Sequence, residues 1–386
     1  MHESRILITC PKGIPPFLKN ELLAGSFPIL EEHRAGIETK GSLQEALLLN
    51  LLIRTGHRVL FLLKEFYAQS PDVLYQELST FPWETIIPED GYACITSSVN
   101  TASIKDSRFA TLTCKDALVD RMRTVFGKRP DTGSSRDRTV IHLYWENDQC
   151  KLYFDTSGEP LSRRGYRKIP LKAPMQETLA AAVVQATSWN GDGNFINPMC
   201  GSGTLAIEAA LVALNRAPGL LRNNFGFQHT KNFDKASWEN MREDIKRRAR
   251  KSFPGKIIAT DIDPKAIEAA RKNATTAGVE NHIEFQTCNF SDTPIPEGGG
   301  VVVLNPEYGA RMGEKTSLEK TYKDIGDYFK QKCLGYTGYV FTGNPRLSKK
   351  IGLKPSQTWT FFNSEIECKL LAYELYEGSR KNRNKN

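Results

Sequence analysis

The chain has 386 residues, more than one core usually takes, and its 40% apolar and 25% charged residues with 29 Gly and 20 Pro exclude a collagenous, low-complexity or wholly disordered chain. Its longest apolar concentration, 46–52 followed by 59–63, is broken by Arg54, His57 and Arg58, short of the roughly 20 uninterrupted residues of a membrane span, and no signal-like segment opens the chain, so neither membrane association nor secretion is expected. The net charge of +8 is uneven, with 18 basic against 21 acidic residues over 1–160 and 34 against 23 over 161–386, so a polyanionic partner is expected for the second part.

In chain order, RILITC (5–10) reads as a strand running into a Pro/Gly turn, 17–24 as a helix, 43–53 as an apolar-rich helix and 58–66 as a strand. A short helix over 71–79, a turn at 81–83, strands at 92–99 and 139–145, and a helix at 114–125 between them suggest one or two small α+β units. The loop 131–138 is a surface connection. The second half is more regular: strands at 195–198, 256–262, 282–285, 301–305 and 338–342 alternate with helices around 204–215, 264–277 and 318–332. That alternation predicts an open, mostly parallel α/β sheet with ligand groups at the strands' C-terminal ends. Segments 359–363 and 369–377 add a terminal hairpin, and 378–386 reads as a basic tail.

Three strand-end motifs carry the chemistry. In NPMCGSGT (197–204), Gly201 and Gly203 permit tight backbone geometry, and their amides can line a cofactor pocket beside Asn197 and Pro198; the loop lacks the Lys-Ser/Thr of a triphosphate loop. In ATDIDP, Asp261 can receive hydrogen bonds from a ribose diol, with Ile262 beside it, while Asp263 caps the helix that starts at Pro264. Asn289 and Asp292 follow the next strand, placed to accept from an adenine amino group. In NPEYG (305–309), the Asn305 side-chain oxygen and the Pro306 carbonyl can accept both hydrogens of a planar amino group, and Tyr308 can stack on the ring that bears it. Two basic clusters, RRGYRK (163–168) and IKRRARK (245–251), offer phosphate contacts: Arg163, Arg164, Arg167 and Lys168, with Tyr166 for stacking. The same charges also fit a solvated turn. Eight scattered Cys without a CxxC pair and six His without ligand spacing give no metal site and suit a reducing cytoplasm; Cys200 reads as a small buried side chain.

NPMCGSGTLAIEAA, ATDIDPKAIEAARKNA, NPEYGAR, TSGEPLSRRGYRK and the late FFNSEIECKL together resemble the bacterial THUMP-containing N2-guanine methyltransferases of 23S ribosomal RNA, in their single-catalytic-domain form. The resemblance implies a ferredoxin-like segment over 1–64, a THUMP RNA-binding module over 65–160, a Rossmann-like class I methyltransferase domain over 161–378 and a tail over 379–386. It implies S-adenosyl-L-methionine as cofactor and ribosomal RNA as partner; transfer RNA is the alternative substrate, and a protein or small-molecule N-methyltransferase or a nonenzymatic RNA-binding assembly factor are the alternative functions. Gly201 and Gly203 take the cofactor-loop role, Asp261 the ribose contact, and Asn305, Pro306 and Tyr308 the target-amino role. The chain departs from the family pattern at Asn197, where an acidic residue is usual, at Asn289, where Asp is common, and at Glu307, where a second proline is usual.

Overall fold

The computed structural model describes residues 3–169, 171, 175–309 and 315–376; the expected tail lies outside them. The chain divides into two compact units, one formed by residues up to Cys10, Leu18–Arg163 and Ala217–Arg247, the other by Pro11–Phe17, Arg164–Arg216 and the chain from Arg248 onward.

In the first unit, strands β1 (Glu3–Thr9), β2 (Glu31–His33), β3 (Gly36–Ser42), β4 (Arg58–Tyr67), β5 (Tyr92–Asn100), β6 (Asp131–Thr132), β7 (Thr139–Glu146) and β8 (Gln149–Asp155) form one sheet in the order 2-3-1-4-8-7-5-6. The segments 1–64 and 65–160, expected as separate modules, therefore share one sheet, with β4 pairing with both β1 and β8. Helices α1 (Pro15–Ala24), α2 (Leu43–Leu52), α3 (Pro71–Ser79) and α4 (Ser107–Phe126) complete the N-terminal part of the chain. The apolar concentration at 46–63 resolves into α2 and β4, whose Leu49, Leu51, Val59 and Leu60 are buried. The start of α2 is fixed locally: Ser42 Oγ accepts from the Glu45 amide at 3.3 Å while the Glu45 carboxylate accepts from the Ser42 amide at 2.7 Å, a reciprocal cap that satisfies two end donors. Asn50 sits on the buried side of this helix, donating to Ala46 O and Thr156 Oγ1 and accepting from Ser157 Oγ.

The second unit is built on strands β9 (Asn194–Pro198), β10 (Ile257–Asp261), β11 (Glu284–Thr287), β12 (Gly300–Leu304), β13 (Tyr336–Thr342), β14 (Gln357–Asn363) and β15 (Ile366–Glu374), in the order 11-10-9-12-13-15-14. The first five strands are parallel, and β15 enters antiparallel between β13 and β14. Helices α5 (Glu177–Ala186) and α6 (Thr204–Ala213) precede an excursion, residues 217–247 with helix α7 (Lys235–Arg247), that groups with the first unit. There Arg222 donates to the carbonyls of Ser157, Glu159 and Pro160 at 3.1, 3.0 and 2.7 Å. Helices α8 (Pro264–Thr276), α9 (Lys315–Lys332) and α10 (Pro345–Ser348) follow. One core cluster joins Ile196, Ile258, Val302, Leu304 and Val340 from the strands to Tyr322, Ile325 and Phe329 from α9. Each such aliphatic side chain contributes about 1.5–3 kcal/mol by burial. This core holds the C-terminal ends of β9, β10 and β12 in register, and the three motifs sit there. No described helix is long and apolar enough to cross a membrane.

Candidate active site at the strand ends

Three of the five residues from Met199 to Gly203 have positive φ: Met199 at 56°, Gly201 at 55° and Gly203 at 81°. The left-handed conformation costs a residue with a Cβ about 1–2 kcal/mol, so Met199 is a strained position and the glycines avoid the same cost. The two glycines differ in surroundings. A Cβ on Gly203 would lie 2.9 Å from the Ala270 Cβ on α8, whereas nothing among the described residues lies within 4 Å of the equivalent point on Gly201. Gly203 therefore brings α6 close to α8, and Gly201 leaves its face open to a ligand. At the N-cap, Gly203 supplies no side-chain cap to α6, leaving helix-end N–H groups directed to the strand-end region.

Asp261, at the end of β10, is held by that loop. Its Oδ2 accepts from the Gly201 amide at 2.9 Å and its Oδ1 from the Asp263 amide at 3.0 Å. Each carboxylate oxygen keeps a further lone pair for a donor such as a diol hydroxyl. Ile262 beside it is 69% exposed, an apolar shelf next to the carboxylate. Asp263 caps α8 as expected, accepting from the Lys265 amide at 2.9 Å.

Asn289 and Asp292 are exposed, but their oxygens are engaged locally. Asn289 Oδ1 accepts from the amide and hydroxyl of Ser291, both at 3.0 Å, leaving Nδ2 rather than the oxygen for a ligand; Asp292 pairs with Lys332 at 3.7 Å. Cys200 is a protonated thiol, because burial and the neighbouring Asp261 charge hold its pKa well above the usual range.

Two asparagines end adjacent parallel strands. Asn197, on β9, is fully buried and donates from Nδ2 to Val303 O at 2.8 Å, while its Oδ1 has no hydrogen-bond partner among the described residues. Asn305, just beyond β12, likewise has a buried Oδ1 without a partner among the described residues. A buried acceptor left unpaired costs roughly 1–3 kcal/mol, and two of them at neighbouring strand ends suit a ligand that carries N–H donors. Pro306 is buried, Glu307 is exposed and Tyr308 is half-buried. The Tyr308 phenol accepts from Asn363 Nδ2 at 3.0 Å, and burial pushes its pKa up to about 12, so it stays neutral.

The segment 163–168 departs from its expected role. Arg163 is exposed and pairs with Glu159, and Lys168 is exposed. Arg164 and Tyr166, by contrast, are each 1% exposed. Arg164 pairs with the fully buried Glu208 of α6 at 3.1 Å, and the Tyr166 hydroxyl donates to the same carboxylate at 2.9 Å. Neither can meet an RNA phosphate or base from there. Arg167 donates to Met175 O and to Thr204 Oγ1 and faces Glu177 at 3.4 Å, tying the starts of α5 and α6 together. Burial pushes the Glu177 carboxyl above its ordinary range, with Arg167 opposing the shift. Asn273, which sequence reasoning missed, accepts from the Lys168 and Ile169 amides at 2.9 and 3.2 Å and donates to Ser202 O at 3.1 Å. The basic segment is thus a strap that buttresses the glycine loop. In the second cluster, Ile245 is buried, and Lys246 and Arg247 pair with Glu243 and Asp244 one turn back.

Comparison with known proteins fits this geometry. Residues 164–372 match the RMKL-like methyltransferase domain model, residues 5–60 the RlmL ferredoxin-like domain and residues 68–155 the THUMP domain. A ribosomal RNA large subunit methyltransferase K/L from Syntrophotalea carbinolica is 38% identical over 97% of this chain and 54% of its own length; one from Psychromonas ingrahamii is 36% identical over 95% of this chain and 50% of its own. The chain spans about half the length of these curated relatives. Among solved structures, one described as a predicted N6-adenine-specific DNA methylase from Listeria monocytogenes is 28% identical, with a TM-score of 0.88 over 97% of each chain.

Proposed function

We propose, from the premise that this chain belongs to the RMKL-like methyltransferase family, that it transfers a methyl group from S-adenosyl-L-methionine to the exocyclic N2 amino group of guanosine in 23S ribosomal RNA. The observation that carries the reading is the buried, unpartnered Oδ1 of Asn305 at the end of β12, beside Tyr308. An aromatic amine delocalises its lone pair into the ring and is a poor nucleophile. Donating its hydrogens to the Asn305 side-chain oxygen and the Pro306 carbonyl favours a tetrahedral nitrogen with its lone pair free, and Tyr308 fixes the plane of the base. Transfer would form the N–C bond as the methyl–sulfur bond breaks to leave S-adenosylhomocysteine, and the nitrogen's proton would pass to solvent.

The cofactor supplies an electrophilic methyl on a sulfonium. The chain's part is to hold it: Asp261 accepts from ribose hydroxyls, Ile262 and Pro198 supply apolar contact, and the amides around Gly201 and Gly203 line the loop. Asn289 Nδ2 can donate to a ring nitrogen of adenine, with Asp292 at the same rim. The Asn197 Oδ1 is a neutral acceptor for the cofactor's ammonium. Substrate RNA is assigned from the names of the curated relatives and from the THUMP match; phosphate contact falls to exposed groups such as Arg163 and Lys168.

The test uses the purified full chain with labelled S-adenosyl-L-methionine and RNA from cells lacking this modification, followed by nucleoside identification and site mapping. Label in N2-methylguanosine of 23S RNA is expected. Label in transfer RNA moves the substrate to that class. No transfer to either, from folded protein that binds the cofactor product, overturns the reading.

A further inference from the structure

The terminal hairpin looks at first like a sheet edge, but the contacts at its tip reach the active-site aromatic. Asn363 closes β14 opposite Ile366, with Ser364 at φ 57° in the turn between them. From there Asn363 Nδ2 donates to the Tyr308 phenol at 3.0 Å, and the Cys368 thiol lies 3.7 Å from the same oxygen. The ring is confined along its length as well. A Cβ on Gly343, just after β13, would come within 2.8 Å of two Tyr308 ring carbons, and Phe341 meets the ring edge-on at 67° with centroids 6.5 Å apart. Asn344 Nδ2 donates to the Tyr308 carbonyl at 3.4 Å while its Oδ1 caps α10. The hairpin is itself anchored: Phe361 is fully buried and stacks on Phe17 at 5.5 Å, and Gly13 lies so close to Thr360 that a Cβ there would sit 2.2 Å from its carbonyl oxygen.

We propose that Asn363 is a positioning residue for methyl transfer, through which the terminal hairpin sets the orientation of the Tyr308 ring by holding its phenol. The proposal rests on the reading of Tyr308 as the platform for the target base. A phenol at that depth has to find a polar partner, and Asn363 supplies it from a strand paired into the sheet rather than from the loop that carries Tyr308. The ring then arrives at the substrate with its tilt already fixed, and the entropy of ordering it is not charged to the reaction. Asn363 acts through the ring and makes no contact of its own with the transferring nitrogen.

The test is kinetic. Asn363→Leu, similar in size but without a donor, is expected to lower kcat about tenfold, as a small displacement of a reacting group does. RNA KM and the affinity for S-adenosylhomocysteine, read by calorimetry, should stay within about twofold, because a change of tilt leaves the Tyr308 ring and the remaining contacts in place. Asn363→Asp should keep kcat within about threefold, since a phenol can donate to a carboxylate as well as accept from an amide. Tyr308→Phe should lose as much as Asn363→Leu, and the double variant no more than either alone, because both remove the same bond. Turnover of Asn363→Leu within about twofold of the parent overturns the proposal, as does multiplication of the two losses in the double variant. A readout without turnover is the ring resonances of Tyr308, assigned with Tyr308→Phe in tyrosine-labelled protein: they should move in Asn363→Leu, and unchanged resonances overturn the proposal. The underlying reading fails separately, if Tyr308→Ala turns over like the parent; an inactive Tyr308→Ala beside a fully active Asn363→Leu removes the positioning role alone.

Discussion

Asn50 in the first unit and Asn197 in the second are both buried to within 1% exposure, yet their amides are used differently. Asn50 is closed within the fold, donating to Ala46 and Thr156 and accepting from Ser157. Asn197 spends its N–H on Val303 and leaves its oxygen unpaired, as Asn305 does at the next strand end. A buried amide with both ends satisfied specifies packing, while one with an unpaired oxygen at a strand's C-terminal end reserves that acceptor for a ligand. The contrast separates structural from functional polarity where residue type and burial are the same.

The same contrast runs through the strap, and Arg164 gives the largest effect. Arg164→Ala removes the ion pair to the buried Glu208, and breaking such a pair costs about 3–5 kcal/mol. Arg163→Ala, at an exposed pair, should change stability by less than about 0.5 kcal/mol. Thermal unfolding of the two variants checks this. A well-folded Arg164→Ala with weakened, salt-sensitive RNA affinity would restore the phosphate-contact role that its burial argues against.

At the second asparagine the loss should fall on catalysis. Asn305→Ala removes the acceptor proposed for the transferring nitrogen, and deletion of one preorganised polar group of this kind lowers kcat by about 10²–10³. RNA affinity should be retained. Equal loss of both would place Asn305 with Asn50, as a packing residue.

How much of this was legible in the sequence follows from the range of the interactions. The strand-end motifs are local, and alternating strands and helices place Asn197, Asp261 and Asn305 at one edge of a parallel sheet from the sequence alone. The hairpin over 31–42 was missed because its first strand is three residues of Glu-Glu-His and its second, Gly-Ile-Glu-Thr-Lys-Gly-Ser, has too few apolar residues to alternate. RRGYRK was read as a surface run because its charge is visible locally, whereas the partners that bury it, Glu208 and Glu177, lie on helices whose other residues are mostly apolar. Asn363 lies 55 residues from Tyr308, beyond the reach of any periodic pattern.

In the first unit the polar group to test is His142, which burial, followed by the Arg58 and Arg136 charges, pushes down to about 4. Its ring accepts or donates at Thr96 Oγ1, 2.9 Å away. The native imidazole stays neutral while the unfolded one protonates near its ordinary value, so stability present above about pH 6.5 is lost as pH falls toward 4, by roughly 3 kcal/mol in all. Amide exchange in β5 and β7 should accelerate over that interval, and His142→Gln should flatten the dependence. An unchanged slope in the variant would assign the acid sensitivity to other groups.

The smallest effect is expected at Asp261, where the site meets the loop. Both carboxylate oxygens accept a backbone N–H, one from Gly201 and one from Asp263. Asn at this position must turn its NH₂ toward one of those two N–H groups, whichever way the amide is flipped. The substitution therefore removes a charge from the proposed ribose contact and also loosens the loop that presents Gly201. A hydrogen bond to a charged group is worth about 1.5–3 kcal/mol, so Asp261→Asn should weaken S-adenosylhomocysteine binding by roughly tenfold to a hundredfold, measured by calorimetry. Asp263→Asn retains an oxygen for its cap to Lys265 and should leave that affinity unchanged. Equal weakening by both would mean that the start of α8, rather than the Asp261 carboxylate, governs the ligand.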